Sequence, residues 1–162
     1  MLKLIMTTAL IVLQPQTTEA KVHQYNNYVE RLVNHYSNET NHNNKQLTCL
    51  AKNIYYESRG EPLTGQLAVA NVTVNRKKNN NSTICIEVYK PNQFSWTGKR
   101  LNQPSGDEWY KAQAIAFIVL NKPALVNDLT KGATYFHSGS KPYDFKHFKH
   151  TVTIGNHKFY RE

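Results

Sequence analysis

Glu57 stands directly after Tyr55 and Tyr56, in what reads as the last turn of an apolar helix. A carboxyl pressed among aromatic rings loses hydration, and burial disfavours its charged form. From a reference of about 4.3, such a shift moves the group towards the range a general acid needs near neutral pH. The other reading is a solvated glutamate paired with Arg59 or a nearby lysine. Glu61, four residues on, is the nearest candidate for a second carboxylate beside the substrate. Gly60 and Pro62 should break the helix between the two acids, which favours a structural Glu61 accepting from the amides of the next helix. Gln93, Ser95 and Trp96 supply an amide, a hydroxyl and a ring face suited to a sugar, and Tyr135 and His137 do the same further on. The alternative for each of these five is an ordinary place in core or loop.

The elements that must position these residues follow from spacing. Val22, Tyr25, Tyr28, Val29, Leu32, Val33 and Tyr36 mark one helical face, followed by a polar stretch from Ser37 to Gln46. Leu47, Leu50, Ala51, Ile54 and Tyr55 resume helical spacing, and the helix should stop near Gly60. Thr64 is placed to cap the next helix, whose segment Leu67 to Val74 is apolar on nearly every side and therefore central. Ser105 and Glu108 form a capping-box pattern ahead of a helix that ends at Asn121-Lys122-Pro123. Thr134 to His137 is aromatic and β-prone, and Gly155-Asn156 between two short β-prone runs predicts a tight hairpin. Helices first and a small antiparallel sheet last give an α+β class.

The 162 residues leave room for one domain. Twenty Lys and Arg against eleven Asp and Glu give a net charge of +9, which suits an anionic partner. No apolar run reaches the roughly 18 residues of a bilayer span, so a multi-pass membrane protein is excluded. Residues 1–20 read as a signal peptide or N-terminal anchor, with Leu4 to Leu13 apolar and Thr18-Glu19-Ala20 approximating a cleavage pattern. An N-terminal helix of the domain is the alternative. Export implies a secreted or periplasmic protein, where the even pair Cys49 and Cys85 suits one disulfide, two buried thiols being the other possibility.

The segment Tyr56-Glu57-Ser58-Arg59-Gly60-Glu61-Pro62, followed by Gly65-Gln66, Ala68-Val69-Ala70 and Val74-Asn75-Arg76, resembles the SleB-type cell-wall hydrolases of bacteria and bacteriophages. Thr83-Ile84-Cys85 with Val88-Tyr89, then Gln93-Phe94-Ser95-Trp96, Gly132 to His137 and Ile154 to Tyr160, extend the likeness in order over about residues 47–160. Ser58 departs from the usual Ala, and Pro91-Asn92 replaces a cysteine that some relatives carry. The resemblance implies a lysozyme-like or lytic-transglycosylase-like helical core, cleavage of the peptidoglycan glycan strand, and Glu57 as the catalytic acid. The expected organisation is a leader over 1–20, a helix and polar linker over 21–46, and a catalytic domain over 47–162. With no convincing partner acid, one carboxyl acting first as acid and then as base is the economical mechanism, which is lytic transglycosylase chemistry.

The expected protein is a monomer acting on peptidoglycan, with no cofactor, no metal and no nucleic-acid partner. Two rivals stand beside it. His147 and His150, with His137 and His157, could hold zinc in an N-acetylmuramoyl-L-alanine amidase, although no His-Glu-x-x-His pattern is present and lysines alternate with the first pair. A basic, aromatic-rich module that only binds the wall is the third reading.

Overall fold

A helix that is apolar on all sides is stable only when other elements surround it. The computed structural model, which describes residues 17–37, 44–139 and 147–162, places such a helix at the centre. This is α3 (Leu63–Asn79), whose Leu67, Ala68, Val69, Ala70 and Val72 are all buried. Around it lie α1 (Thr18–Ser37), α2 (Lys45–Ser58), the short α4 (Ile84–Tyr89) and α5 (Gly106–Asn121). Helix α2 packs on α5, α3 and α4, while α1 lies against α5. A three-stranded antiparallel sheet in the order β1-β3-β2 closes the other side, from β1 (Tyr135–Ser138), β2 (Lys149–Ile154) and β3 (His157–Arg161). Phe159 of β3 is fully buried against Ala68, Val72 and Ala133, which seats the sheet on α3. The class is α+β, as the element order predicts.

Local chemistry sets most boundaries. Asn44 caps α2 by accepting from the backbone N–H of Gln46 at 2.9 Å and of Leu47 at 3.4 Å. The chain leaves α2 after Ser58, so Glu57 is in its last turn and Glu61 is outside it. Two capping expectations are corrected. Pro62, not Thr64, precedes α3, and its carbonyl accepts from Gly65 and Gln66, starting the helix ahead of the threonine. Ser105 does precede α5, but its side chain makes no capping bond, and Glu108 pairs instead with Lys111 at 2.7 Å. Helix α4 is not predicted by residue spacing; Thr83 caps it by accepting from Ile86 N–H.

The apolar face of α1 holds at Val29 and Val33, which are buried, while Tyr28 donates to the Leu125 carbonyl at 3.0 Å. Val22, expected on that face, is 55% exposed, at the edge of an open hollow that it shares with Leu129, Val152 and Ile154. Cys49 and Cys85 are joined in a disulfide, with 5.3 Å between their Cα atoms, which ties α2 to α4. Closing that loop contributes about 3–4 kcal/mol through the unfolded state. Residues 1–16, most of the expected leader over 1–20, lie outside the described residues, as do residues 38–43 and 140–146, and Thr18 to Ala20 form the first turn of α1. Among the described residues no helix is long and apolar enough to cross a membrane.

Candidate active site

The α2 helix delivers Glu57 half-buried beside Tyr56. Burial raises its pKa above the usual carboxylate range, and the charges of Arg76 and Lys99 offset only part of the rise. An acid with that balance can hold a proton and then give it up, which is what a general acid must do.

Arg76, in the last turns of α3, is only 6% exposed. Its Nε donates to the Thr134 carbonyl at 2.5 Å, and its two terminal nitrogens donate to the Gln93 side-chain oxygen at 2.8 and 3.0 Å. The guanidinium lies over the rings of Phe94 and Tyr135, at 5.2 and 5.4 Å from their centroids. Burial lowers its pKa to about 10, so it remains cationic at neutral pH. Thr134 itself is placed by a loop that Asp128 organises. The Asp128 carboxylate accepts from Thr130 N–H at 2.8 Å, Thr130 hydroxyl at 2.6 Å, Gly132 N–H at 2.8 Å and Asn75 amide at 3.0 Å. Burial alone would raise the Asp128 pKa, but these donors hold it below its ordinary value.

Glu61 has a different task. Its Oε2 accepts from the backbone N–H of Asn156 at 2.9 Å, and its Oε1 accepts from the Asn156 amide at 3.0 Å. The carboxylate thus anchors the β2–β3 turn, rather than the amides of α3. Gly155 in that turn has φ +58°, and a Cβ there would collide with Glu61 Oε2. His157 Nδ1 lies 3.8 Å from Glu61 Oε1, yet burial lowers the imidazole pKa despite the carboxylate, which favours the neutral ring.

Trp96 is buried at 8% exposure, with its indole N–H donating to Asn53 Oδ1 at 3.1 Å. Asn53 Nδ2 donates in turn to the Thr73 hydroxyl at 3.1 Å, so one polar chain joins the 94–99 turns to α2 and α3. The Trp96 ring packs on Tyr56 at 4.7 Å between centroids. Ser95 is exposed. Tyr135 donates to Glu162 at 3.0 Å, and His137 pairs with the Tyr160 hydroxyl at 3.2 Å over stacked rings.

Two depressions hold the cations whose charge acts on Glu57, although Glu57 is itself in the lining of neither. One, of about 490 Å³, is lined by Tyr55, Tyr56, Arg59, Ser95, Trp96 and Lys99 among others. The other, of about 300 Å³, takes in Arg76, Gln93 and Tyr135. Lys99 in the first and Arg76 in the second are the cations whose charge Glu57 feels. The structure thus gathers Gln93, Ser95, Trp96 and Tyr135 around these two hollows, and places His137 and Glu61 outside them. A larger hollow of about 650 Å³ beside the disulfide contains one acid, Glu87, which is committed to Asn80 and Ser82. Lys99 is the site residue that neither spacing nor the family likeness singles out. Arg76 closes the Val74-Asn75-Arg76 motif, but it shares the last turn of α3 with Lys77 and Lys78, and only its burial sets it apart from them. The histidines of the zinc reading are dispersed or engaged, with His150 on the Thr153 hydroxyl at 3.1 Å. Among the described residues no group of three or more His, Cys, Asp or Glu is placed to hold a metal ion.

The family described as Cell Wall Hydrolase matches residues 60–160, more than half of the chain. The chain belongs to the cell wall hydrolase family. Among solved structures, this member of the family is similar to the catalytic domain of the Bacillus cereus SleB protein, with 26% identity and a TM-score of 0.54. The match covers 75% of this chain and 94% of that one, so the likeness extends over nearly the whole SleB domain. No curated protein sequence matches the chain. Glu57 lies three residues ahead of the family match, while Arg76, Gln93 and Lys99 lie within it. The family assignment places the enzyme's work at the cell wall.

Proposed function

We propose that this cell wall hydrolase cleaves the peptidoglycan glycan strand between N-acetylmuramic acid and N-acetylglucosamine, as a lytic transglycosylase with Glu57 as its single acid and base. The observation that carries the reading is the division of labour between two nearby acids. Glu57 is half-buried with a raised pKa, whereas Glu61 is spent on the Asn156 turn. A mechanism with two carboxylates would need a second acid about 5–9 Å from the first, and Glu61 is already doubly bonded.

The Glu57 carboxyl gives its proton to the departing glycosidic oxygen as the bond from muramic C1 breaks. The carboxylate left behind takes the proton of the muramic 6-hydroxyl as O6 bonds to C1, which closes a 1,6-anhydro ring and restores the acid without water. Arg76 and Lys99 favour the carboxylate half of this cycle, and burial favours the acid half. The net charge of +9 concentrates the enzyme, proposed to be an exported monomer, at an acidic wall.

Mass spectrometry of fragments released from purified wall tests the chemistry. Anhydro-muramic ends are expected. Reducing ends would mean a hydrolytic muramidase, and free stem peptides an amidase. Retention on wall without fragments would mean a binding module. Glu57→Gln, which keeps shape and removes the titrating proton, should abolish fragment release while the variant stays folded.

A further inference from the structure

The depression lined by Tyr56 and Trp96 is cationic. Arg59 and Lys99 line it, and among the described residues no acid does, whereas in the hollow around Arg76 the cations Arg76 and Lys90 meet Glu87 and Glu162. Both cations are exposed, and among the described residues neither is ion-paired with a carboxylate. The Arg59 side chain and the Lys99 backbone are nevertheless held. Arg59 lies over the Tyr55 ring at 4.9 Å, and Lys99 sits in a turn whose N–H donates to the Trp96 carbonyl at 3.1 Å. The opposite wall is pinned as well, because the Tyr56 hydroxyl donates to the Asn102 carbonyl at 2.6 Å. Two cations of this kind, one of them a planar fork, match a substrate group that bears carboxylates.

We propose that this depression receives the free carboxylates of the stem peptide carried by muramic acid, so that the enzyme selects peptide-bearing glycan. The proposal rests on the glycan-cleaving reading above and adds a specificity site to it. A stem peptide leaves the sugar ring beside the bond being cut. A pocket lined by Tyr56, the residue before the acid, and by Lys99, whose charge acts on it, is therefore where its charge would be read. Tyr55 and Tyr56 give the peptide an apolar surface, and Arg59 and Lys99 give its carboxylates their partners.

Three glycans distinguish the sources of negative charge: intact peptide-bearing strands, the same strands with their peptide carboxylates amidated, and strands stripped of peptide, which keep only the lactyl carboxylate. Fragment release on each gives kcat/KM. The wild-type protein should favour intact over amidated strands about tenfold, the scale of two partly exposed charge contacts. In the double variant Arg59→Gln, Lys99→Gln the ratio should fall to near one. Because Lys99 also acts on Glu57, the comparison is a ratio on one enzyme, in which any change in the acid's proton cancels. Equal rates of the wild type on intact and amidated strands, or a ratio that survives in the double variant, would overturn the proposal. Stripped strands cleaved as well as intact ones would overturn it too, by assigning the cations to the lactyl group. Absence of glycan fragments from all three substrates would instead overturn the glycan-cleaving reading on which the proposal stands.

Discussion

Replacing Trp96 by Phe separates two roles that an aromatic residue beside a sugar site can have. The indole N–H donates to Asn53, a residue with no exposed surface, whose amide donates onward to Thr73. Phe cannot donate, so Asn53 Oδ1 is left buried without its partner, at a cost of about 1–3 kcal/mol. The smaller ring also loses part of its packing on Tyr56, about 1 kcal/mol more. The expected total is about 2–4 kcal/mol. In a domain of this size that lowers Tm by roughly 6–12 °C. Urea unfolding with an unchanged m-value measures the loss, and Thr73→Val supplies the second arm of a double-mutant cycle. Coupling of about 1 kcal/mol is expected between the two changes. If Trp96→Phe costs less than about 0.5 kcal/mol, the scale of an ordinary surface substitution, while wall cleavage collapses, the structural argument is wrong and Trp96 is a sugar platform.

Glu57→Gln should stabilise the fold above the raised pKa of the glutamate. A carboxyl whose folded pKa exceeds its unfolded value contributes stability below the unfolded value and loses it as pH rises through the folded one. Thermal unfolding of both proteins from pH 4 to 8 should therefore show curves that diverge with pH, and parallel curves would refute the burial argument. Asp128 works in the opposite sense: its lowered pKa gives stability above the unfolded value that disappears as pH falls through the folded one. Asp128→Asn should cost about 1 kcal/mol at pH 7, allowing for solvent exposure, and this difference should vanish in strong acid by urea titration. Reducing the Cys49–Cys85 bridge should lower stability by about 3–4 kcal/mol, read as a fall in Tm on adding dithiothreitol.

Much of the scaffold was legible from residue spacing. The apolar repeats of α1, α2, α3 and α5 fix which faces turn inward, and Gly155-Asn156 marks the hairpin because few residues accept its backbone. The place of Glu57 in the last turn of α2 follows from Gly60 and Pro62. These features depend on neighbours within a few positions, where side-chain period and turn chemistry act directly. Helix α4 was not legible, since six residues are too few to show a period.

The roles of the polar residues came from elsewhere. Glu61 finds Asn156 across 95 positions, Arg76 finds Thr134 across 58, and Trp96 finds Asn53 across 43. A carboxylate, guanidinium or indole carries no spacing rule for such partners, and each satisfies its donors or acceptors with whatever packing brings near. The amino-acid order alone determined the helical frame, the hairpin and the helix end that carries Glu57. Only the tertiary structure decided that Glu61 gives its carboxylate to a turn while Glu57 makes no hydrogen bond among the described residues, because that choice is made by hydrogen bonds between segments far apart in the chain.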